Sequence, residues 1–170
     1  MTEPSRKGAS TRVSRVIKAP RKAIYEAFLD RDAVATWLPP DGMTGEVHTF
    51  NAHEGGTFRM SLTYQNPEHS PRGKTSDDRD TFQGRFVTLV PYERIVESIA
   101  FESEDPAFAG EMTITWTLAD VGAGTEVSVL CEDIPVGVRP EDNEAGSRSS
   151  LQKLAAFIEC LPISPEVWPV

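Results

Sequence analysis

Residues Ser14 to Pro40 read S-R-V-I-K-A-P-R-K-A-I-Y-E-A-F-L-D-R-D-A-V-A-T-W-L-P-P. The hydrophobic period changes within this stretch. Thr11 to Lys18 alternates as a strand does, with Val13, Arg15 and Ile17 on one face. Pro20 then falls where proline is tolerated, at the first turn of a helix. Ile24, Ala27 and Phe28 follow at helical spacing, and Ala33, Val34 and Trp37 repeat it in a second short helix. Pro39 and Pro40 cannot continue that helix.

Downstream the period returns to two. Strands are expected at Thr44 to Phe50, Thr57 to Tyr64, Thr81 to Val90, Arg94 to Phe101, Glu111 to Leu118 and Thr125 to Cys131. The clearest is Thr57 to Tyr64, where Phe58, Met60, Leu62 and Tyr64 share one parity and Thr57, Arg59, Ser61 and Thr63 the other. Asn66 to Asp80 is polar and holds two prolines and a glycine, which predicts a long mobile hairpin loop. The last helix is expected from about Glu141 to Leu161, with Leu151, Leu154, Ala155, Ile158 and Leu161 as its apolar stripe. Pro162 ends it.

The order is strand, two helices, six strands, long helix. An antiparallel sheet with one apolar face needs a cover, and only the long helix is large enough to supply it. The expected class is therefore α+β: a curved antiparallel sheet wrapped around a C-terminal helix. Residues 1–10 read as a flexible arm, 11–161 as one domain and 162–170 as a tail. A chain of 170 residues suits a single domain with a substantial core.

The charge narrows the partners. Seventeen Lys and Arg against 26 Asp and Glu give a net charge of −9, which argues against nucleic acid and against an anionic membrane surface. No apolar run approaches the ~20 residues of a membrane span. The N-terminus lacks the apolar core of a signal peptide. With two cysteines, Cys131 and Cys160, the simplest expectation is a reduced, cytoplasmic protein.

Motifs for chemistry are sparse. His48, His53 and His69 show no metal-ligand spacing with one another or with the cysteines, so neither a metal nor a cofactor is expected. G-x-S-x-G, the P-loop and G-x-G-x-x-G are absent. Cys131 shares parity with Val127 and Val129 and reads as buried filler rather than a nucleophile. His48 reads as a satisfied structural or exposed histidine. Glu97 shares the apolar parity of Ile95, Ile99 and Phe101. A carboxylate there is costly unless paired. The bland reading places it at an edge where the face meets water. The alternatives are a pocket acid or a partner of Arg59 or Arg85.

Several motifs in order resemble the activator of Hsp90 ATPase homologue-like family of the START-like, or SRPBCC, helix-grip superfamily. They are I-K-A-P-x-x-x-I-Y-x-A-F at Ile17 to Phe28, W-L-P-P at Trp37 to Pro40 and G-G-x-F-R at Gly55 to Arg59. F-Q-G-R-F-V-T-L-V-P-Y-E-R-I-V at Phe82 to Val96, G-x-G-T-E-V at Gly122 to Val127 and G-S-x-x-S-L-x-x-L-A at Gly146 to Ala155 complete the set. One departure stands out: family members often carry Trp after the glycine of the last helix, and here Ser147 follows Gly146.

The resemblance implies a helix-grip fold with a cavity. It does not imply chaperone regulation, since the co-chaperone has a separate chaperone-engaging domain for which this length leaves no room. Distant relatives include lipid carriers, hormone receptors and polyketide aromatases or cyclases. The leading expectation is binding of a small hydrophobic or amphipathic molecule between sheet and final helix. Trp37, Phe58, Met60, Trp116, Leu154 and Ile158 are the expected lining, Tyr64 and Glu97 the polar anchors, and the mouth is expected near Trp37. A cyclase- or aromatase-like enzyme using the same cavity, or a chaperone-related interaction module, are the alternatives. A homodimer is left open.

Overall fold

The computed structural model describes residues 8–65 and 78–160. Seven strands form one antiparallel sheet: β1 (Ala9–Ile17), β2 (Met43–Phe50), β3 (Thr57–Tyr64), β4 (Arg79–Val90), β5 (Arg94–Phe101), β6 (Met112–Asp120) and β7 (Thr125–Ile134). The spatial order is β1-β7-β6-β5-β4-β3-β2. Strands β2 to β7 form a meander, and β1 returns to pair with β7. Consecutive β1 and β2 thus lie at opposite edges. Helices α1 (Arg21–Phe28) and α2 (Arg31–Trp37) make the crossing between them, and α3 (Pro140–Glu159) is the long C-terminal helix. This is the expected α+β helix grip.

Local chemistry explains the boundaries. Pro20 precedes α1 in extended backbone at φ −72°, and the Asp30 carboxylate caps α2 by accepting from the amides of Asp32 and Ala33 at 2.9 and 3.1 Å. Pro140 opens α3, with Glu141 and Asp142 in its positive first turn. Register shifts between Ala9 and Thr11, Val47 and Thr49, and Phe86 and Thr88 mark bulges. Such extra residues bend and twist a sheet, which lets it curl around a helix. Gly84, on the concave face of β4, sits where a Cβ would lie 2.3 Å from the Ser98 carbonyl and 2.7 Å from Phe58. No other residue fits so close an approach.

Strand β4 begins at Arg79, two residues before the expected Thr81, so Arg79 and Asp80 belong to the sheet. The remainder of the expected Asn66 to Asp80 loop lies, apart from Asp78, outside the described residues, as do residues 1–7 of the expected arm at 1–10 and the tail, whereas Ala9 and Ser10 belong to β1. The Glu102 to Gly110 loop contains a short 3-10 turn at Pro106–Phe108.

The concave face carries rows of aligned side chains. Leu89, Ile95, Trp116, Val129 and Val13 form one, and Phe86, Glu97, Ile114, Cys131 and Thr11 the next. The two halves of α3 do different work. Leu151, Leu154, Ala155 and Ile158 in its C-terminal half are buried, Leu154 completely, and this half closes the core. Its middle holds the α2–β2 turn: Ser150 Oγ donates to the Leu38 carbonyl at 2.5 Å, Lys153 Nζ to the Pro39 carbonyl at 2.6 Å, and the Asp41 amide to Ser149 Oγ at 2.7 Å. The first two satisfy carbonyls just past the end of α2, and the third satisfies the Asp41 amide. Its first half lies over empty space.

Candidate functional site: an aromatic cavity with a buried carboxyl group

That space is a cavity of about 690 Å³ between the concave sheet, α2 and the first half of α3. The volume falls within the usual range for small-molecule sites. Phe28, Trp37, Phe50, Phe58, Phe82, Phe101, Phe108 and Trp116 supply an aromatic wall, and Met43, Met60 and Met112 fill between them. Trp37 stacks edge-on against Phe28 at 4.8 Å and against Trp116 at 5.7 Å. Its indole N–H donates to the Ala27 carbonyl at 3.0 Å.

Glu97 on β5 is set among these rings, and the buried Asp80 on β4 lines the same cavity. Glu97 stands between Phe86 and Ile114 in the sheet register, and the Trp116 indole N–H donates to its Oε1 at 3.1 Å. Oε2 makes no hydrogen bond among the described residues. The surface left to Glu97 is cavity surface rather than bulk water. Loss of hydration therefore pushes its pKa up to about 7, against which the Trp116 bond pulls weakly downward. The bland expectation of a water-facing edge position is overturned, as is a pairing with Arg59. Arg59 lies on the opposite face of the sheet and makes a two-pronged bond to Glu102 at 2.7 and 2.9 Å.

On the same row as Glu97, two strands away, Cys131 is buried, and burial raises its thiol pKa. Thr11, Ser147 and Asn143 surround that sulfur, and Thr11 Oγ1 donates to Asn143 Oδ1 at 2.5 Å. The cavity thus has one small polar flank against its aromatic walls. Nearer the opening, burial raises the Tyr64 pKa, and the charges of Asp80 and Asp142 raise it further. The most exposed lining residues are Asp41, Gly137, Arg139, Asp142 and Ala145, so the cavity opens beside the first turns of α3.

Of the expected site residues, Trp37, Phe58, Met60, Tyr64, Glu97 and Trp116 all line this one cavity. Leu154 and Ile158 do not. They lie one to three turns further along α3, in the packed core. Trp37 is only 1% exposed, so it belongs to the inner wall and not to the mouth. The sequence reading missed Asn143, Ser147 and Ser150. A signal for them existed: E-D-N-E-A-G-S-R-S-S, residues 141 to 150, has no large apolar side chain to fill the space beneath it.

His48 sits at the β2 bulge on the outer face, with Nε2 2.8 Å from Ser61 Oγ, which lies 2.8 Å from Thr81 Oγ1. It is a satisfied structural histidine. Among the described residues no three His, Cys, Asp or Glu side chains converge as metal ligands. No described helix is long and apolar enough to cross a membrane.

A curved sheet gripping a helix over a walled cavity defines a START-like, helix-grip protein. The chain belongs to the activator of Hsp90 ATPase homolog 1-like family, which matches residues 18–159. A crystal structure of a Chromobacterium violaceum protein is 36% identical, covering 88% of this chain and 96% of that one with a TM-score of 0.78. A Rhodobacter sphaeroides protein is 18% identical, with 91% and 96% covered and a TM-score of 0.72. The AHSA1-like protein of Aeromonas hydrophila is 16% identical, with 89% and 92% covered and a TM-score of 0.66. The last two show likeness of fold alone. Comparison with curated proteins gives no match.

Proposed function

We propose that this protein binds a small hydrophobic or amphipathic molecule in the cavity beneath the first half of α3. The observation that carries this reading is the unfilled space of about 690 Å³ walled by aromatic rings. A sheet and helix that served only to support each other would close it, since voids forfeit dispersion contacts and burial. The departure from the family pattern at Ser147 fits the same reading, because a small residue there leaves room where an indole would fill it. The cavity is neither collapsed, as an interaction module would allow, nor uniformly apolar, as a simple carrier would have it.

A second reading is supported by Glu97. A carboxyl group with a pKa near 7 inside an aromatic-walled cavity suits general acid or base chemistry, the task of a cyclase-like enzyme. Binding comes first in either case.

Native mass spectrometry of freshly purified protein, followed by titration with the environment-sensitive ketone dye prodan, tests binding. A co-purified small molecule, or saturable dye binding that quenches tryptophan emission, is expected. Absence of both would refute the cavity as a binding site.

A further inference from the structure

Resting on that reading, we infer that the ligand is an uncharged aromatic compound whose polar end is a hydrogen-bond acceptor, a carbonyl oxygen, and that Glu97 receives this oxygen at the deep end of the cavity. Three observations converge on it. Trp116 occupies one oxygen of Glu97, and the other faces the cavity with no partner among the described residues. In the neutral acid that second oxygen is the available donor, aimed at the space a ligand would fill. The walls on either side are rings of Trp116, Trp37 and Phe28, which stack on flat apolar bodies and give no competing donor beyond the two indoles, both already engaged.

The charges exclude the other common amphiphiles. The titratable groups that share the cavity with Glu97 are Tyr64 on β3, Asp80 on β4, Cys131 on β7 and, at the opening, Asp41, Arg139 and Asp142. Arg139, the sole cation of the set, is bound to Glu141 at 3.0 Å. A carboxylate ligand would pass this acidic rim and end against an acid with no cation to balance it. An ammonium ligand would have to ionise Glu97 and bury both charges, and desolvating both ions opposes that pairing. A carbonyl asks for neither. Burial holds Glu97 protonated up to about pH 7, and Cys131 and Tyr64, both raised above their ordinary values, stay neutral well beyond that.

The test displaces prodan with four probes of one skeleton: 2-acetylnaphthalene, 2-ethylnaphthalene, 2-naphthoate and 2-(aminomethyl)naphthalene, at pH 5.5 and 8.5. The wild type should bind the ketone at least tenfold more tightly than the hydrocarbon at pH 5.5, and lose that preference at pH 8.5 as Glu97 ionises. Glu97→Gln, which keeps a donor, should retain the ketone preference at both pH values. Glu97→Leu should bind ketone and hydrocarbon alike. Naphthoate should bind at least tenfold more weakly than the ketone. Equal binding of ketone and hydrocarbon by the wild type overturns the inference while leaving the cavity reading intact. So does tight naphthoate binding, or amine binding that strengthens as pH rises. If no probe binds and prodan does not saturate, the cavity reading itself falls and the inference with it.

Discussion

Replacing Glu97 with glutamine should stabilise the fold at alkaline pH and leave it nearly unchanged at acid pH. An ordinary glutamate ionises with a pKa of 4.5, whereas burial holds Glu97 at about 7. The folded state therefore binds its proton more tightly than the unfolded state does. Below pH 4.5 both states are protonated and the favourable contribution is complete. It is lost as pH rises from 4.5 through 7, and above that the native protein carries an ionised carboxylate in its cavity. The span corresponds to about 3 kcal/mol at about 1.4 kcal/mol per pH unit. For a chain of this size that is a difference in Tm of roughly 6–12 °C. Thermal unfolding of the wild type and Glu97→Gln, followed by circular dichroism at half-unit steps from pH 4.5 to 8.5, measures it. Other titrating groups cancel in the difference between the two proteins, and any fixed cost of the amide appears as a constant offset. The difference should grow with pH and level off just above 7. A constant difference across the range would show that Glu97 is hydrated and that the deep end of the cavity is not the low-dielectric space described.

Ser147→Trp should fill the cavity, abolishing saturable prodan binding with at most about 1–3 kcal/mol of overpacking, read by denaturant titration; undiminished binding would place the site elsewhere. Leu154→Ala should cost about 2–5 kcal/mol, because Leu154 is fully buried in the packed half of α3, and should leave prodan affinity within twofold. Trp37→Phe removes the indole donor to the Ala27 carbonyl and should cost about 1–3 kcal/mol by the same titration. Ser150→Ala frees the Leu38 carbonyl of its side-chain partner and should lower stability by about 1 kcal/mol. A neutral result there would mean water replaces the hydroxyl.

The sequence alone determined the architecture. Alternation in strands such as Thr57 to Tyr64 fixed which side chains face inward, because a pleated strand has no other period. Pro39 and Pro40 stopped the second helix, because the ring removes the donor that helix continuation needs, and Pro20 opened the first, where that donor has no partner to lose. The same parity put Phe58, Met60, Glu97 and Trp116 on one face before any contact was known. What it could not decide is depth. Leu154 and Ser147 lie on the same helix two turns apart, yet one is core and one is cavity wall. That division depends on how far the bulged sheet curls and on where the α2–β2 turn is bonded to α3. The same holds for Glu97. Parity placed it on the inner face, but only the packing of Phe86, Ile114 and Trp116 around it sets it away from bulk water and raises its pKa, since desolvation is a property of the surroundings and not of the residue.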